Sequence, residues 1–322
     1  MSVQKLKILL LRQDRIGDLL VSAPFIANLR KLHPNAEIDI LLSEKNIFAA
    51  SIIANKVDNI FVYKKNIFAI TKLIATLRLK KYDYVIDLLY NYSRTSNRII
   101  KLAKPKESIG LAHEQLPYAI NIIKHHHNEL TKVRIINQLL TAFEGGRDYI
   151  DEVHWEIPIS QHIKNQMEAL FAVGKKHIGI NFSGSNEAKT LKPKKVKEII
   201  EGLEELFPNS MIHLYTTKKT EEVAIQFKAK ENIILHKEME TIEHLASSIT
   251  YLDLYITPDT ATVQLTAIKK TPTIVLYAFE QNHPTELMFR PENPNYNALH
   301  TENGNVNSIA TNEIIALATK KL

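Results

Sequence analysis

The sequence contains no cysteine. Disulfides, thiolate nucleophiles and cysteine-based zinc sites are therefore excluded, and the chain suits a reducing compartment. Glycine is scarce, 9 in 322 residues, and no three are spaced as G-x-G-x-x-G, which removes the usual fingerprint of a dinucleotide oxidoreductase. No stretch reaches the ~18 apolar residues of a membrane span. The N-terminal MSVQKLKILLLRQD lacks the apolar core and small-residue cleavage site of a signal peptide. A soluble, cytoplasmic protein is expected. No Cys/His finger or RNA-binding aromatic signature is present, so nucleic acid is not an expected partner. The net charge of +6, from 41 Lys+Arg against 35 Asp+Glu, favours anionic partners such as a phosphorylated substrate or anionic lipid. A Lys-, Ile- and Asn-rich composition throughout accounts for the same surplus without any partner.

What the chain has in quantity is short apolar runs alternating with helical patterns. Strands are expected at 7–12, 37–43, 59–63, 82–89 and 108–111, with helices at 18–32, 67–79 and 93–103. The pattern loosens after 112, around a helix near 131–143 and a Gly145–Gly146 stop. It then restarts with strands at 177–183, 211–217, 232–237, 252–258 and 271–279. Helices at 194–206, 221–229, 241–249 and 260–268 separate them, and 312–322 is a terminal helix. Near-continuous apolar strands alternating with helices imply buried parallel sheets. The reading is two doubly wound α/β domains, 1–160 and 175–322, facing a central cleft.

Ligands of such sheets bind beyond the carboxyl ends of the strands, and three stretches there carry chemistry. In LLLRQDRIGDLLVSAP the acid Asp18 follows Gly17 at the mouth of the first helix. It reads either as an ordinary acid at a helix N-terminus or as a general base, with Arg12 and Arg15 holding it ionised or holding an anionic substrate. In NFSGSNEAKTLKP the small residues Ser183, Gly184 and Ser185 precede Lys189. This is either an ordinary polar loop or a cradle for a pyrophosphate. In ITPDTATVQLTAI, Asp259 or Thr260 caps a helix opening Thr-Ala-Thr, as a plain N-cap or as a second grip on a diphosphate. Cations of the first half, Arg15, Lys64, Lys65, Arg94 and Arg98, with His125–His127, are candidates to bind an anionic acceptor. Three adjacent histidines cannot all face one metal from a regular element, and no acidic metal motif follows a strand.

These stretches together resemble the lipopolysaccharide heptosyltransferase family, glycosyltransferase family 9. RIGDLLVSAP is similar to its Arg-x-x-x-Ile-Gly-Asp-x-Leu-x-x-x-Pro signature. AKTLKPKKV is similar to its Ala-Lys-Arg-Trp-Pro stretch, and DTATVQLTAIKKTPTIVLY to its Asp-(Ser/Thr)-Gly-x-x-His-Leu-x-Ala segment. TKKTEEVA falls where the family carries a ribose-contacting Glu. The resemblance implies a GT-B fold and an inverting transfer without metal or other cofactor. The donor would be a nucleotide diphosphate sugar, ADP-heptose or a relative. The acceptor would be an anionic lipopolysaccharide or lipooligosaccharide core, met at the cytoplasmic face of the inner membrane. Carried over by position, Asp18 is the general base. Lys189 and the Ser183–Ser185 loop hold the diphosphate, and Glu221, or Glu222 one step away, meets the ribose. Asp259, Thr260, Ala261, Thr262 and Gln264 line the donor phosphate and sugar. Four positions depart from the pattern: Ala261 replaces Gly, Gln264 replaces His, Asn181-Phe182-Ser183-Gly184 replaces a His-Pro-Gly loop, and Leu191 replaces Trp. All lie in the donor half. The alternative reading is a donor-altered or catalytically weakened relative, acting on another nucleotide sugar or as a binding partner.

Overall fold

Strand β1 (Lys7–Leu11) is the centre of the first sheet because Ile8, Leu9, Leu10 and Leu11 are all fully buried. Around it pack β2 (Glu37–Ser43), β3 (Asn59–Tyr63), β4 (Tyr84–Asp87), β5 (Glu107–Leu111) and β6 (Ile120–Ile122). Their order is β3-β2-β1-β4-β5-β6, and every pairing is parallel. Helices Ile16–Leu32, Ile67–Lys80 and Arg94–Ala103 make the connections. The computed structural model describes residues 5–111, 118–122, 130–171, 173–237 and 241–322. Its chain separates into two units, Met1–Pro158 and Ile159–Leu322.

The second unit repeats the plan. Its strands are β7 (His177–Asn181), β8 (Met211–Tyr215), β9 (Ile233–His236), β10 (Leu254–Pro258), β11 (Thr273–Tyr277) and β12 (Tyr296–His300). The parallel order is β12-β11-β10-β7-β8-β9. Counted within each unit, both sheets run 3-2-1-4-5-6, the dinucleotide-binding order, and each has one switch point. These lie between β1 and β4 and between β7 and β10. The terminal helix Thr311–Lys321 packs on helix Pro193–Leu206. The approach is close enough that a Cβ on Gly202 would lie 2.9 Å from Ile315 Cγ1. A buried histidine ladder crosses the same sheet. His177 Nδ1 lies 2.9 Å from His213 Nε2, and His213 Nδ1 lies 2.8 Å from His236 Nε2. Phe171 stacks on His213 and Tyr215 on His236. Burial first, then the neighbouring rings, depresses His213 to about 2, and burial depresses His236 to about 4.

Several elements differ from the sequence expectation. Each sheet has a sixth strand the apolar pattern does not announce. β6 is three residues long, and β12, Tyr-Asn-Ala-Leu-His, is half-buried throughout; both are edge strands, where polar residues belong. Helices Gln161–Glu168 and Pro284–Phe289 are also additional. The expected helix 131–143 is α-helical only over Lys132–Asn137 before tightening to a 3₁₀ turn, Gln138–Ala142. The expected helix 221–229 lies earlier, at Lys218–Ala224. The expected helix 260–268 shrinks to Thr262–Leu265, flanked by three-residue hydrogen bonds such as Val263 N to Thr260 O at 3.1 Å. Threonines dominate this stretch, and Thr266 Oγ1 donates back to Val263 O at 2.7 Å, a bond that competes with the helical ladder.

Candidate active site

In the first unit the polypeptide leaves β1 at Leu11 and places Arg12, wholly buried, across the switch point. Arg12 Nε donates to the Asp18 carbonyl at 2.9 Å, and Nη1 donates to the Leu88 carbonyl just beyond β4. The guanidinium also lies 3.4 Å from Asp14 Oδ2 and 3.9 Å from Asp18 Oδ1. Asp18 is the third residue of helix Ile16–Leu32. Its Oδ2 accepts the Arg15 backbone N–H at 3.2 Å, and its Oδ1 accepts from Lys132 Nζ. Burial alone would raise the Asp18 carboxyl. Lys132 and then Arg12 more than offset this, and the group is held below the ordinary carboxylate range. Asp14, whose burial outweighs its attraction to Arg12, is raised. Burial and the nearby Arg12 charge lower Lys132, against the pull of Asp18. Asp87, at the end of β4, is pushed up to about 6 by burial, although Leu89 N–H and Tyr118 O–H donate to it.

This turn also has open valences. Arg12 Nη2, Gln13 Nε2 and Asp14 Oδ1 are buried without a hydrogen-bond partner among the described residues.

The second unit has an equivalent bridge made of neutral groups. Asn181 ends β7, and its Nδ2 donates to Thr257 Oγ1 of β10 at 3.0 Å. Its Oδ1 accepts Ser183 N–H at 3.0 Å. The loop then folds back so tightly that a Cβ on Gly184 would fall 2.1 Å from the Lys189 carbonyl oxygen. Only glycine permits that approach. It delivers Lys189 Nζ to 2.6 Å from Asp259 Oδ2, with the two side chains 20% and 15% exposed. Hydroxyls surround the pair. Thr260 Oγ1 is 2.8 Å from Thr262 Oγ1, Tyr255 O–H donates to Thr262 Oγ1 at 3.0 Å, and Ser183 Oγ meets Thr217 and Thr220 at 3.1 and 2.9 Å.

The structure thus brings Ser183, Gly184, Lys189, Asp259, Thr260 and Thr262 together at one switch point. Ala261 is half-buried beside them, and Ser185 is exposed on the loop. Glu221 is half-buried and paired with Lys237 at 2.8 Å, whereas Glu222 is exposed. Gln264 is buried, and its Nε2 donates to the Phe289 carbonyl at 2.6 Å. Its Oε1 has no hydrogen-bond partner among the described residues. In the first unit Arg15 is exposed at the helix start. Lys64 and Lys65 are exposed after β3, and Arg94 and Arg98 are exposed on the helix after β4. His125–His127 lie outside the described residues. Lys132 and Asp87 were not singled out by the sequence. Lys132 follows a weak pattern 114 residues from its partner Asp18, and Asp87 sits inside an apolar strand. Among the described residues no group of three or more His, Cys, Asp or Glu side chains is placed to hold a metal, and no helix is long and apolar enough to cross a membrane.

Two parallel six-stranded sheets of the same order, each with polar side chains gathered at its switch point, define the GT-B class. The family model for glycosyltransferase family 9 (heptosyltransferase) matches residues 70–315. The chain belongs to glycosyltransferase family 9 and is a glycosyltransferase. No curated protein matches it by sequence. Among solved structures it is similar to a glycosyl transferase family 9 protein from Veillonella parvula, with TM-score 0.78, 16% identity, and 99% of this chain and 98% of that one covered. It is also similar to the E. coli ADP-heptose LPS heptosyltransferase II, with TM-score 0.75, 17% identity and 98% of each chain covered. The E. coli heptosyltransferase WaaC with ADP gives TM-score 0.72 and 16% identity, over 98% of this chain and all (100%) of that one.

Proposed function

We propose that this chain is an inverting, metal-independent glycosyltransferase. It moves heptose or a related sugar from a nucleotide diphosphate donor to a lipopolysaccharide or lipooligosaccharide core acceptor. The observation that carries the reading is Asp18: a carboxylate at the carboxyl edge of the first sheet, kept ionised by Lys132 and Arg12. An acceptor hydroxyl is a poor nucleophile until a base takes its proton, and a positioned base contributes about 10²–10⁴-fold. As the hydroxyl oxygen bonds the donor C1 its proton becomes acidic, so a weakly basic carboxylate suffices late in the step. Lys132 holds Oδ1, which leaves Oδ2 to take the proton by exchanging its bond to the Arg15 N–H. The orphaned atoms of Arg12, Gln13 and Asp14 meet acceptor hydroxyls. Arg15, Lys64, Arg94 and Arg98 meet its acidic groups.

The second unit holds the donor. Lys189, only one-fifth exposed, leans from Asp259 to the diphosphate and stabilises the charge on the leaving group, the role a metal plays elsewhere. Ser183, Gly184, Ser185, Thr260 and Thr262 supply hydrogen bonds to the phosphates, and Glu221, or Glu222 beside it, accepts from the ribose. The E. coli structures are described with ADP or as ADP-heptose enzymes, so ADP-heptose is the first donor to offer. A second reading, a different nucleotide sugar, is favoured by Gln264, whose amide is committed to the Phe289 carbonyl. The test is turnover by purified protein of ADP-heptose and other nucleotide sugars on core saccharide, with product configuration read by NMR. Asp18→Asn should nearly abolish turnover while folding and nucleotide binding survive. Retained configuration, turnover stopped by EDTA and restored by a divalent ion, or near-native Asp18→Asn activity refutes the mechanism.

A further inference from the structure

The loop after β3 and the first turn of helix Ile67–Lys80 display two large apolar side chains to solvent: Ile67 is 70% exposed and Phe68 is 82% exposed. They are held there. Asn66 caps the helix, and its Oδ1 accepts from Phe68 N–H at 3.0 Å and from Ala69 N–H at 3.2 Å. The turn is therefore formed, and the two side chains project from an ordered element. Phe48, in the turn after the neighbouring strand β2, adds a third, 45% exposed. Lysines flank them. Lys64, Lys65 and Lys72 are exposed and have no carboxylate partner among the described residues. From Asn59 to Tyr82 the sequence holds six Lys and Arg and no acid.

We infer that this corner of the first unit docks on an anionic lipid bilayer, with Ile67 and Phe68 entering the interface and Lys64, Lys65 and Lys72 meeting the headgroups. An apolar tip ringed by lysine is the complement of such a surface, which takes up apolar side chains and attracts juxtaposed cations together. Solvent alone gives no reason to fix two such residues outward in a capped turn. The placement also has a use. β3 lies two strands from β1, so the docking corner is about 10 Å along the sheet from the turn that carries Asp18, at the same carboxyl edge. A sugar chain anchored in the bilayer reaches the base while its lipid stays put. That use rests on the proposed lipid-linked acceptor; the docking itself does not.

The test sediments the full-length protein with vesicles of pure phosphatidylcholine and of phosphatidylcholine mixed with phosphatidylglycerol. The protein should pellet with the mixed vesicles and not with the neutral ones, and high salt should weaken the binding. Ile67→Ser with Phe68→Ser should weaken it by at least about tenfold at an unchanged circular dichroism spectrum and melting curve. Lys64→Glu with Lys65→Glu should weaken it too. On a delipidated soluble acceptor the Ile67→Ser, Phe68→Ser variant should turn over like wild type, and on vesicle-borne acceptor it should fall behind. No vesicle binding, or equal binding by the variants, overturns the inference. So does a wild-type dimer in analytical ultracentrifugation that the apolar variant dissociates, since that gives the corner to a second copy. If wild type binds vesicles but transfers no sugar to any acceptor, the proposed function fails and the docking stands.

Discussion

Replacing Lys132 by Met removes the ammonium that sits on Asp18 Oδ1 and keeps an unbranched apolar stem one atom shorter. The two side chains are 7% and 13% exposed, so the pair is nearly but not wholly buried. Breaking a fully buried pair costs about 3–5 kcal/mol because the remaining charge is stranded. Here Arg12 Nη2 remains 3.9 Å from Asp18 Oδ1, and the Arg15 N–H still binds Oδ2 at 3.2 Å. The expected stability loss is therefore nearer the value of one charge-assisted hydrogen bond, about 1.5–3 kcal/mol. Losing the same bond as a positioning contact should lower kcat by about 10–100-fold. The pH profile carries the sharper signature. In the native protein Asp18 is held below the ordinary range, so its contribution to stability and activity is present above the ordinary carboxylate pKa and is lost as pH falls through the depressed one. Without Lys132, burial is opposed only by Arg12 and the Arg15 N–H, and the acid limb of kcat/KM should move to higher pH. Lys132→Arg should restore most of both effects. The assay is kcat/KM against pH for the three proteins, with denaturant melts alongside. An unmoved acid limb in Lys132→Met, with the same kcat, would refute the role given to the pair. A limb near 6 in all three proteins would report Asp87 instead.

Three further outcomes are expected. Lys189→Ala should weaken nucleoside diphosphate binding by roughly 10–100-fold, about 1.5–3 kcal/mol, and unchanged affinity by calorimetry removes Lys189 from the donor site. Ala261→Gly with Gln264→His, measured beside both single variants, should shift relative turnover toward ADP-heptose by about tenfold, ~1.4 kcal/mol; an unchanged donor ranking would mean that these positions do not read the donor. The buried ladder gives a pH dependence: His213 and His236 titrate near 2 and 4 in the fold against ~6.5 unfolded, so the unfolded chain takes up protons first and stability falls as pH drops below about 6.5. His213→Asn should flatten that fall by about 1 kcal/mol per pH unit between pH 6.5 and 4, and parallel profiles would show that His213 is not kept neutral.

The central strands were legible because burial on both faces writes a continuous apolar run. The expected span 37–43 coincides with β2; the edge strand β3 matches its expected span 59–63 because most of its own residues are apolar, although none of them is fully buried. Strands β6 and β12 were not, because β6 is only three residues long and β12, Tyr-Asn-Ala-Leu-His, breaks its apolar run with polar residues. Asp18 and Lys189 were named because each stands in a recognisable pattern within eight residues of the end of a strand. The pairings they make were not, although Asp259 itself was named. Lys132 and Asp259 meet them across 114 and 70 residues, and periodicity carries no information about which distant charges the topology brings together. Gln264 shows the same limit. Its substitution was visible, but its commitment to the Phe289 carbonyl depends on a short helix, Pro284–Phe289, that has no strong pattern of its own.

The two switch points explain why an acid rather than a glycine-rich loop opens the first helix. Both sheets have one strand order, and in both the first strand sends a buried side chain across the gap to the fourth. In the first unit that side chain is the cation Arg12, and a cation in a buried turn must be compensated. Asp14 and Asp18 supply the compensation, so carboxylates collect where a nucleotide-binding turn would present bare amides. In the second unit the bridging side chain is the neutral Asn181, hydrogen-bonded to the hydroxyl of Thr257. It calls for no counter-charge, and the acid beside it, Asp259, is already matched by Lys189. The same backbone plan thus yields one edge carrying a base and one edge carrying hydroxyls, amides and an ammonium. At the first edge the cations Arg12 and Lys132 are engaged by Asp14 and Asp18, whereas at the second the hydroxyls and the Lys189 ammonium gather round one carboxylate. In the reading proposed here, that difference in one bridging side chain divides the labour between the two units.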